Sequence, residues 1–207
     1  DLKTMGKIIE IGIFGSLEMV IVNLTMLILM SVVAIHGTYV VAAYGIGMRL
    51  NMVVTIPTMG LGFAAATLVG QNLGAKKIDR AERSGWLSAA YAVIIVAILS
   101  IFLLAIPEGI MGIFNKEEEV VRMGVSFLRF VAPTMLFIGL GTAMGRAQNG
   151  AGDTKIPLIM SALSMLCLRI PLAYYLSDLF GPNGIWIDIG LTNVVYGSLM
   201  QLSYTIA

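Results

Sequence analysis

Charge is scarce in this chain. Asp, Glu, Lys and Arg make up 12% of its 207 residues, about half the share of an ordinary soluble domain. The formal net charge is only +1, which offers nothing to a nucleic-acid partner. There is one histidine, His36, and one cysteine, Cys167. With no HExxH pattern and no carboxylate cluster, neither a metal site nor a paired nucleophile and base is supported, so the reading is not that of an enzyme and no cofactor is called for. Cys167 has no partner for an intrachain disulfide. A cleavable signal peptide is not visible either: the first apolar stretch is too long for an h-region and lacks a small-residue cleavage pattern. The chain opens at Asp1 rather than Met and stops at the end of an apolar stretch, which reads as a piece of a longer protein.

Apolar sequence fills the space that charge leaves. Hydrophobic residues are 58% of the chain, and the mean hydropathy is +0.91. A membrane-spanning helix needs about 20 mostly apolar residues at ~1.5 Å rise each. Six segments meet that need, at 8–35, 41–73, 86–106, 120–148, 156–176 and 185–207. The expected fold is therefore an all-α integral membrane protein, a six-helix bundle embedded in a lipid bilayer. Lys3, Lys7, Lys76, Lys77, Arg80, Arg83, Arg146 and Lys155 gather on one side of the spans. The other side carries Glu108, Lys116, Glu117, Glu118, Glu119, Arg122, Asp178 and Asp188. The positive-inside rule puts the first group, and both chain ends, in the cytoplasm of a plasma (inner) membrane. Tyr39, Tyr44, Tyr174, Tyr175 and Trp186 fit an outer aromatic belt, and Trp86 an inner one. Lone His36 falls in the outer loop between the first two spans and reads as solvated.

Local signals mark the connections. Asp79 with Glu82 resembles a capping box at the start of the third helix. Asp153 or Thr154 fits a cap for the fifth, with Pro157 in its first turn. The second segment, about 33 residues, would be roughly 50 Å long as a straight helix, so it must tilt, bend or project. Pro57 and Pro133, each followed by glycines, are the expected bends. Gly62, Ala66 and Gly70, four apart, make a small-residue face for close helix packing.

Intramembrane charge is costly, at least ~2.5–3.5 kcal/mol near the bilayer centre on insertion scales. Glu18 lies about ten residues, or ~15 Å, inside the first span. It reads either as half of a buried ion pair, with Arg129 as partner, or as a carboxylate that couples a proton or cation to movement. Glu10 is closer to the inner surface and can snorkel there. Ser16, Met19, Asn23, Met26 and Met30 recur at spacings of three or four, as do Asn51, Thr55 and Thr58. Such polar, sulfur-rich stripes suit a surface for varied apolar ligands, or interhelical packing with local back-bonding.

Three runs carry a family resemblance. Residues 60–75, Gly-Leu-Gly-Phe-Ala-Ala-Ala-Thr-Leu-Val-Gly-Gln-Asn-Leu-Gly-Ala, are similar to the G-x-G…A-x-x-x-L-V-G-Q-N-L-G-A stretch of the multidrug and toxic compound extrusion (MATE) transporters. Residues 149–157 resemble that family's G-A-G-D-T-x-x-P, and Arg169-Ile170-Pro171-Leu172-Ala173-Tyr174 with Gly184-Ile185-Trp186 its R-x-P-L-A-Y…G-x-W. The resemblance implies one lobe of a twelve-helix, two-lobe transporter. This chain matches the C-terminal lobe, helices seven to twelve, and its partner is the N-terminal lobe of the same polypeptide. It implies export of organic, often cationic and amphipathic, small molecules in exchange for H⁺ or Na⁺ by alternating access. The first, second and fourth helices would line the cavity, giving Met19, Asn23, Met26, Asn51, Thr55 and Phe137 as cavity residues and Glu18 as the ion-coupling candidate. Where the NorM-like branch carries acidic residues that bind the coupling cation, this chain has Ile21 and Ile138, so it is closer to the DinF-like and archaeal branches, in which a carboxylate of the first lobe carries the coupling. A lipid-linked oligosaccharide flippase of the same wider superfamily, or a non-transporting scaffold, are the rival readings. The flippase would call on Arg49, Arg129 and Arg169 to meet a pyrophosphate.

Overall fold

The structure, a computed structural model, describes the backbone of residues 2–206 and the side chains of residues 5, 6, 9 and 11–205. The side chains of Lys3, Lys7 and Glu10, named above, lie outside the described residues. The described residues are almost wholly helical, with no strand among them. Helix α1 spans Leu2–Ile35, α2 Thr38–Gly74, α3 Ile78–Ala105 and α4 Pro107–Phe114. Helix α5, Glu118–Val131, runs through a 3₁₀ turn, Ala132–Thr134, into α6, Met135–Gly150. Helix α7, Lys155–Ser161, runs through a π segment, Ala162–Arg169, into α8, Ile170–Phe180, and α9 spans Pro182–Ile206.

Among the described residues, five stretches are long and apolar enough to cross a membrane: Ile11–Ile35, Thr38–Gly74, Ile78–Ala105, Glu118–Gly150 and Lys155–Phe180. The sixth expected segment is the 25-residue helix α9, roughly 37 Å long and so of spanning length. It falls short in apolarity because it carries Asp188, Thr192 and Asn193, all turned into the protein interior. The short helix α4 was not expected; Pro107 opens it at a position where a missing N–H costs nothing.

Helices α2, α3, α6 and α9 pack side by side, with α5 closing one end of the group. Helix α1 and the α7–α8 unit lie against each other and against α9 at the margin. The small-residue face of α2 does what its spacing suggested. A Cβ on Gly62 would stand 2.9 Å from Arg146 Cγ, one on Gly70 2.9 Å from the Gly150 carbonyl oxygen, and one on Gly150 would overlap the backbone of Ala66. At the opposite end Trp186, Phe127 and Tyr44 form the largest aromatic core. Trp186 stacks on Tyr44 (6.2 Å, 7°) and meets Phe127 edge-on at 5.1 Å.

That core corrects the aromatic belt. Trp186 is fully buried and Tyr44 nearly so, while Tyr39, Tyr174 and Tyr175 are exposed as a belt requires. Two rings that can bury against each other gain more from packing than from an interfacial perch. Asp188 likewise is not an outer-loop charge: it lies one turn past Gly184 inside α9, fully buried. His36 is held rather than solvated, with Nε2 2.6 Å from Ser177 Oγ on α8.

At the connections, Asp153 Oδ1 accepts from the backbone N–H of Lys155 (3.1 Å) and Ile156 (3.2 Å), as a cap should. Asp79 does not cap α3. Lys77 occupies the cap position, and Asp79 sits within the first turn, where its charge still favours the helix N-terminus. Pro57 leaves α2 uninterrupted, but Pro133 sits in the 3₁₀ turn that divides α5 from α6. Pro171 cannot donate to the carbonyl of Cys167, and the wide π turns fall just before it.

Candidate functional site

The stripe on α1 faces outward. Met19 is 62% exposed and Met26 43%, with Asn23 exposed between them. Asn23 Nδ2 donates to the carbonyl of Met19 at 2.7 Å, so the amide is partly satisfied within its own helix. On α2 the Thr55 hydroxyl lies 2.8 Å from the Asn51 carbonyl oxygen and 2.9 Å from its Oδ1. Both side chains are half-buried. Thr58, the third residue of that stripe, is fully buried and donates to the Thr55 carbonyl at 2.6 Å. It belongs to the core. Phe137 is half-buried on α6, its backbone against Gly197 of α9.

The structure does not gather these residues into one closed pocket. A cleft of about 440 Å³ lies between Phe14 and the 151–155 turn, and another of about 630 Å³ between Glu108, Arg122 and Arg129. Neither is lined by the six residues. They lie on surfaces that this chain leaves open.

Glu18 is half-buried. The ion pair with Arg129 is not formed: Arg129 Nη2 reaches Glu108 Oε1 at 3.2 Å, at the exposed end of α5. Helix α1 packs on the α7–α8 unit instead of α5, which puts Glu18 next to Ser161. Ser161 Oγ donates to Glu18 Oε1 at 3.0 Å, at the step from α7 into the π segment. A hydrogen bond to a charged group of this kind is worth roughly 1.5–3 kcal/mol.

A second polar group was missed in the sequence. Arg169 Nε donates to Thr192 Oγ1 (2.7 Å) and its Nη2 to Asn193 Oδ1 (2.9 Å). Asn193 Nδ2 donates to Thr134 Oγ1 (3.2 Å), which donates to the Val131 carbonyl (2.7 Å). Thr192 Oγ1 donates to the backbone carbonyl of Asp188 (2.8 Å). The Asp188 side chain itself has no hydrogen-bond partner among the described residues, on either oxygen. The available signal was the i, i+4 spacing of Asp188 and Thr192. It was hidden by counting Asp188 among the charges of the outer side, although it falls within the sixth expected segment. Among the described residues, no three His, Cys, Asp or Glu side chains converge as a metal would require.

Comparison with known proteins places this architecture. The MatE family model matches residues 16–175. The probable multidrug resistance protein YpnP of Bacillus subtilis is 27% identical over 185 residues, covering 89% of this chain and 42% of that protein. The probable multidrug resistance protein NorM of Thermotoga maritima is 24% identical over 208 residues, covering 98% and 44%. In fold, a solved MATE in the straight conformation superposes with a TM-score of 0.93 at 20% identity, covering all of this chain and 47% of that one. A mutant of the Vibrio cholerae MATE transporter VcmN gives 0.85 at 20% identity, with 89% and 42% covered. The chain thus spans less than half the length of these relatives, and its bundle has the fold of one part of a larger transporter. Relatives named NorM stand beside others, so the family, rather than a branch within it, is the level of the likeness. With most of its length matched and its helices superposed on solved members, this chain belongs to the MatE family, a family of transporters and not of enzymes.

Proposed function

We propose that this chain is the C-terminal lobe of a secondary efflux transporter that exports organic, often cationic and amphipathic, compounds in exchange for H⁺ or Na⁺. The observation that carries this reading is the open stripe on α1. Met19, Asn23 and Met26 are exposed together, on a helix whose amide donates within the helix itself. Methionine side chains adapt to ligands of different shape. Asn51, Thr55 and Phe137 extend the same wall on α2 and α6. The N-terminal lobe of the same polypeptide would face it, with the substrate between, and rocking of the two lobes would alternate access. Loop charge supports cytoplasmic ends in a plasma (inner) membrane. A flippase cavity would need free cations. Of the three arginines considered, Arg129 is engaged by Glu108 and Arg169 by Thr192 and Asn193, which leaves the exposed Arg49 as the one candidate for that role among them.

Glu18 is the coupling carboxylate of this lobe in the reading. Its support is depth, half-burial and the hydroxyl of Ser161, which donates to its Oε1 at 3.0 Å. The test is gradient-driven export by the complete transporter in sealed vesicles. Glu18→Gln should leave a folded protein whose export no longer follows the imposed ion gradient. Export that still follows the gradient, with only a lower melting temperature, would reduce Glu18 to a structural residue.

A further inference from the structure

Asp188 is the most unusual side chain in the lobe. It is fully buried, and neither carboxyl oxygen has a hydrogen-bond partner among the described residues. Burying an ionised carboxylate without a donor is costly, and the group escapes that cost either by taking up a proton or by drawing in a donor. Both escapes are at hand. The charge that acts on Asp188 is Arg169, on the π segment opposite. Its guanidinium, however, is committed to Thr192 and Asn193. The other titratable group near that guanidinium is Tyr44 on α2. Among the described residues, Glu18 meets Ser161 and, with Arg146, acts on Tyr196, about two turns further along α9; Arg129 meets Glu108, Arg122 meets Glu119, and Asp178 is exposed.

We propose that Asp188 is a second, previously unassigned site in this lobe that binds a proton, and that Arg169 reports its state to the break between α5 and α6. The proton arrives on water and forms an O–H bond with one carboxyl oxygen, leaving the water neutral. The structure corresponds to that loaded state, in which Arg169 is free to hold Thr192 and Asn193. Loss of the proton restores the negative charge and draws the guanidinium onto the carboxylate, because a fork of donors is the strongest partner a carboxylate can find. Arg169 then releases Asn193. Asn193 is the residue that holds Thr134, and Thr134 closes the 3₁₀ turn at Pro133. Helix α9 lies directly on that turn: a Cβ on Gly190 would be 3.2 Å from the Phe130 carbonyl oxygen and 3.4 Å from Thr134 Cγ2. A change at Asn193 is therefore felt at the bend. A metal cation fits the site less well than a proton. The nearby side-chain oxygens of Thr192 and Asn193 already accept from Arg169, and its positive charge repels a second cation.

The proton site is tested without substrate or gradient, so its outcome is separate from that of the efflux reading. Infrared difference spectra of the complete transporter in lipid are recorded between acidic and alkaline pH, with and without ¹³C-aspartate. The expected result is a protonated-carboxyl band that is lost on alkalinisation, shifts with the aspartate label, disappears in Asp188→Asn and persists in Glu18→Gln. A spin label on Phe130→Cys should change mobility over the same pH range, and Asn193→Leu should remove that change while keeping the band. No aspartate band at any pH, or an unchanged band in Asp188→Asn, overturns the site. A spectral change driven by Na⁺ at constant pH and lost in Asp188→Asn overturns the choice of a proton. A label that still responds in Asn193→Leu overturns the route to the bend. Should Asp188→Asn fail to fold, Asp188→Glu keeps the carboxyl but takes it out of the aspartate label, so a band that still shifts with ¹³C-aspartate in that variant overturns the site.

Discussion

Replacing Gly150 by alanine should destabilise the lobe by an amount the α2–α6 contact fixes. The new methyl would stand 2.5 Å from Ala66 Cα and 2.7 Å from its carbonyl carbon. Carbon atoms pack best at ~3.5–4.0 Å, so the shortfall is about 1 Å, and the obstacle is backbone rather than a side chain that can swing aside. The strain cannot be relieved locally, because Gly70, one turn along α2, already faces the Gly150 carbonyl. Overpacking of a tight contact costs about 1–3 kcal/mol, and a backbone clash belongs at the upper end. Against this, removing a helical glycine returns roughly 0.5–1 kcal/mol. The net loss is about 2 kcal/mol. At ~2–4 °C per kcal/mol for 150–250 residues, and about half that for a transporter more than twice this chain's length, the melting temperature should fall by roughly 2–4 °C. The assay is thermal unfolding of the purified complete transporter, with Gly60→Ala as the control. A Cβ on Gly60 meets nothing within 4 Å, so that variant should be as stable as the parent or slightly more so. Equal melting temperatures for Gly150→Ala and Gly60→Ala would refute the close-packed α2–α6 contact.

Three further outcomes are expected. Trp186→Ala should cost about 3–5 kcal/mol, the range for emptying a large buried aromatic site, because its ring is stacked on Tyr44 and capped by Phe127; chemical unfolding of the complete protein checks it, and a loss under ~1 kcal/mol would place Trp186 at the surface. Cysteines introduced near Lys77 and Lys155 should react with impermeant reagents from the cytoplasm, and those near Glu118 and Asn183 from outside; labelling of the Lys77 and Glu118 positions from one side would remove the alternating topology. Breaking the exposed Arg122–Glu119 pair at the start of α5 with Arg122→Gln should change the melting temperature little, since exposed pairs are worth ~0–1 kcal/mol; a large loss would mean that Arg122 does more than meet Glu119.

Legibility in the sequence followed the range of the interaction. The helices came from runs of apolar residues, a local property; α3 begins at Ile78 rather than near 86 because polar residues such as Asp79 and Glu82 extend the helix beyond its apolar part. Asp153 as a cap was readable because a cap acts within three residues. The face of Gly62, Ala66 and Gly70 was readable as small, but its partner Gly150 was not, since nothing local names a residue eighty or more positions away. The same limit explains the errors. Tyr44 and Trp186 are alike in composition to belt aromatics, and only the meeting of α2 with α9 makes them core. Glu18 was assigned to Arg129 because both lie deep in their helices, but depth does not say which helices touch. Asp188 was the most costly misreading. A lone acid in the first turn of the sixth expected segment reads as a charge at the outer surface, whereas α9 starts at Pro182 and turns Asp188 into the interior. The π segment at 162–169 had only Pro171 as its sign.

The efflux reading requires that α1 present Met19, Asn23 and Met26 to a water-filled transport cavity rather than to lipid. A single cysteine at Asn23 in the complete transporter decides it most directly. The reading predicts reaction with a water-soluble, membrane-impermeant maleimide, slowed when a transported organic cation is present. A cysteine there that ignores the water-soluble reagent, reacts only with a lipid-soluble one and is untouched by substrate would put the stripe against the bilayer and contradict the account.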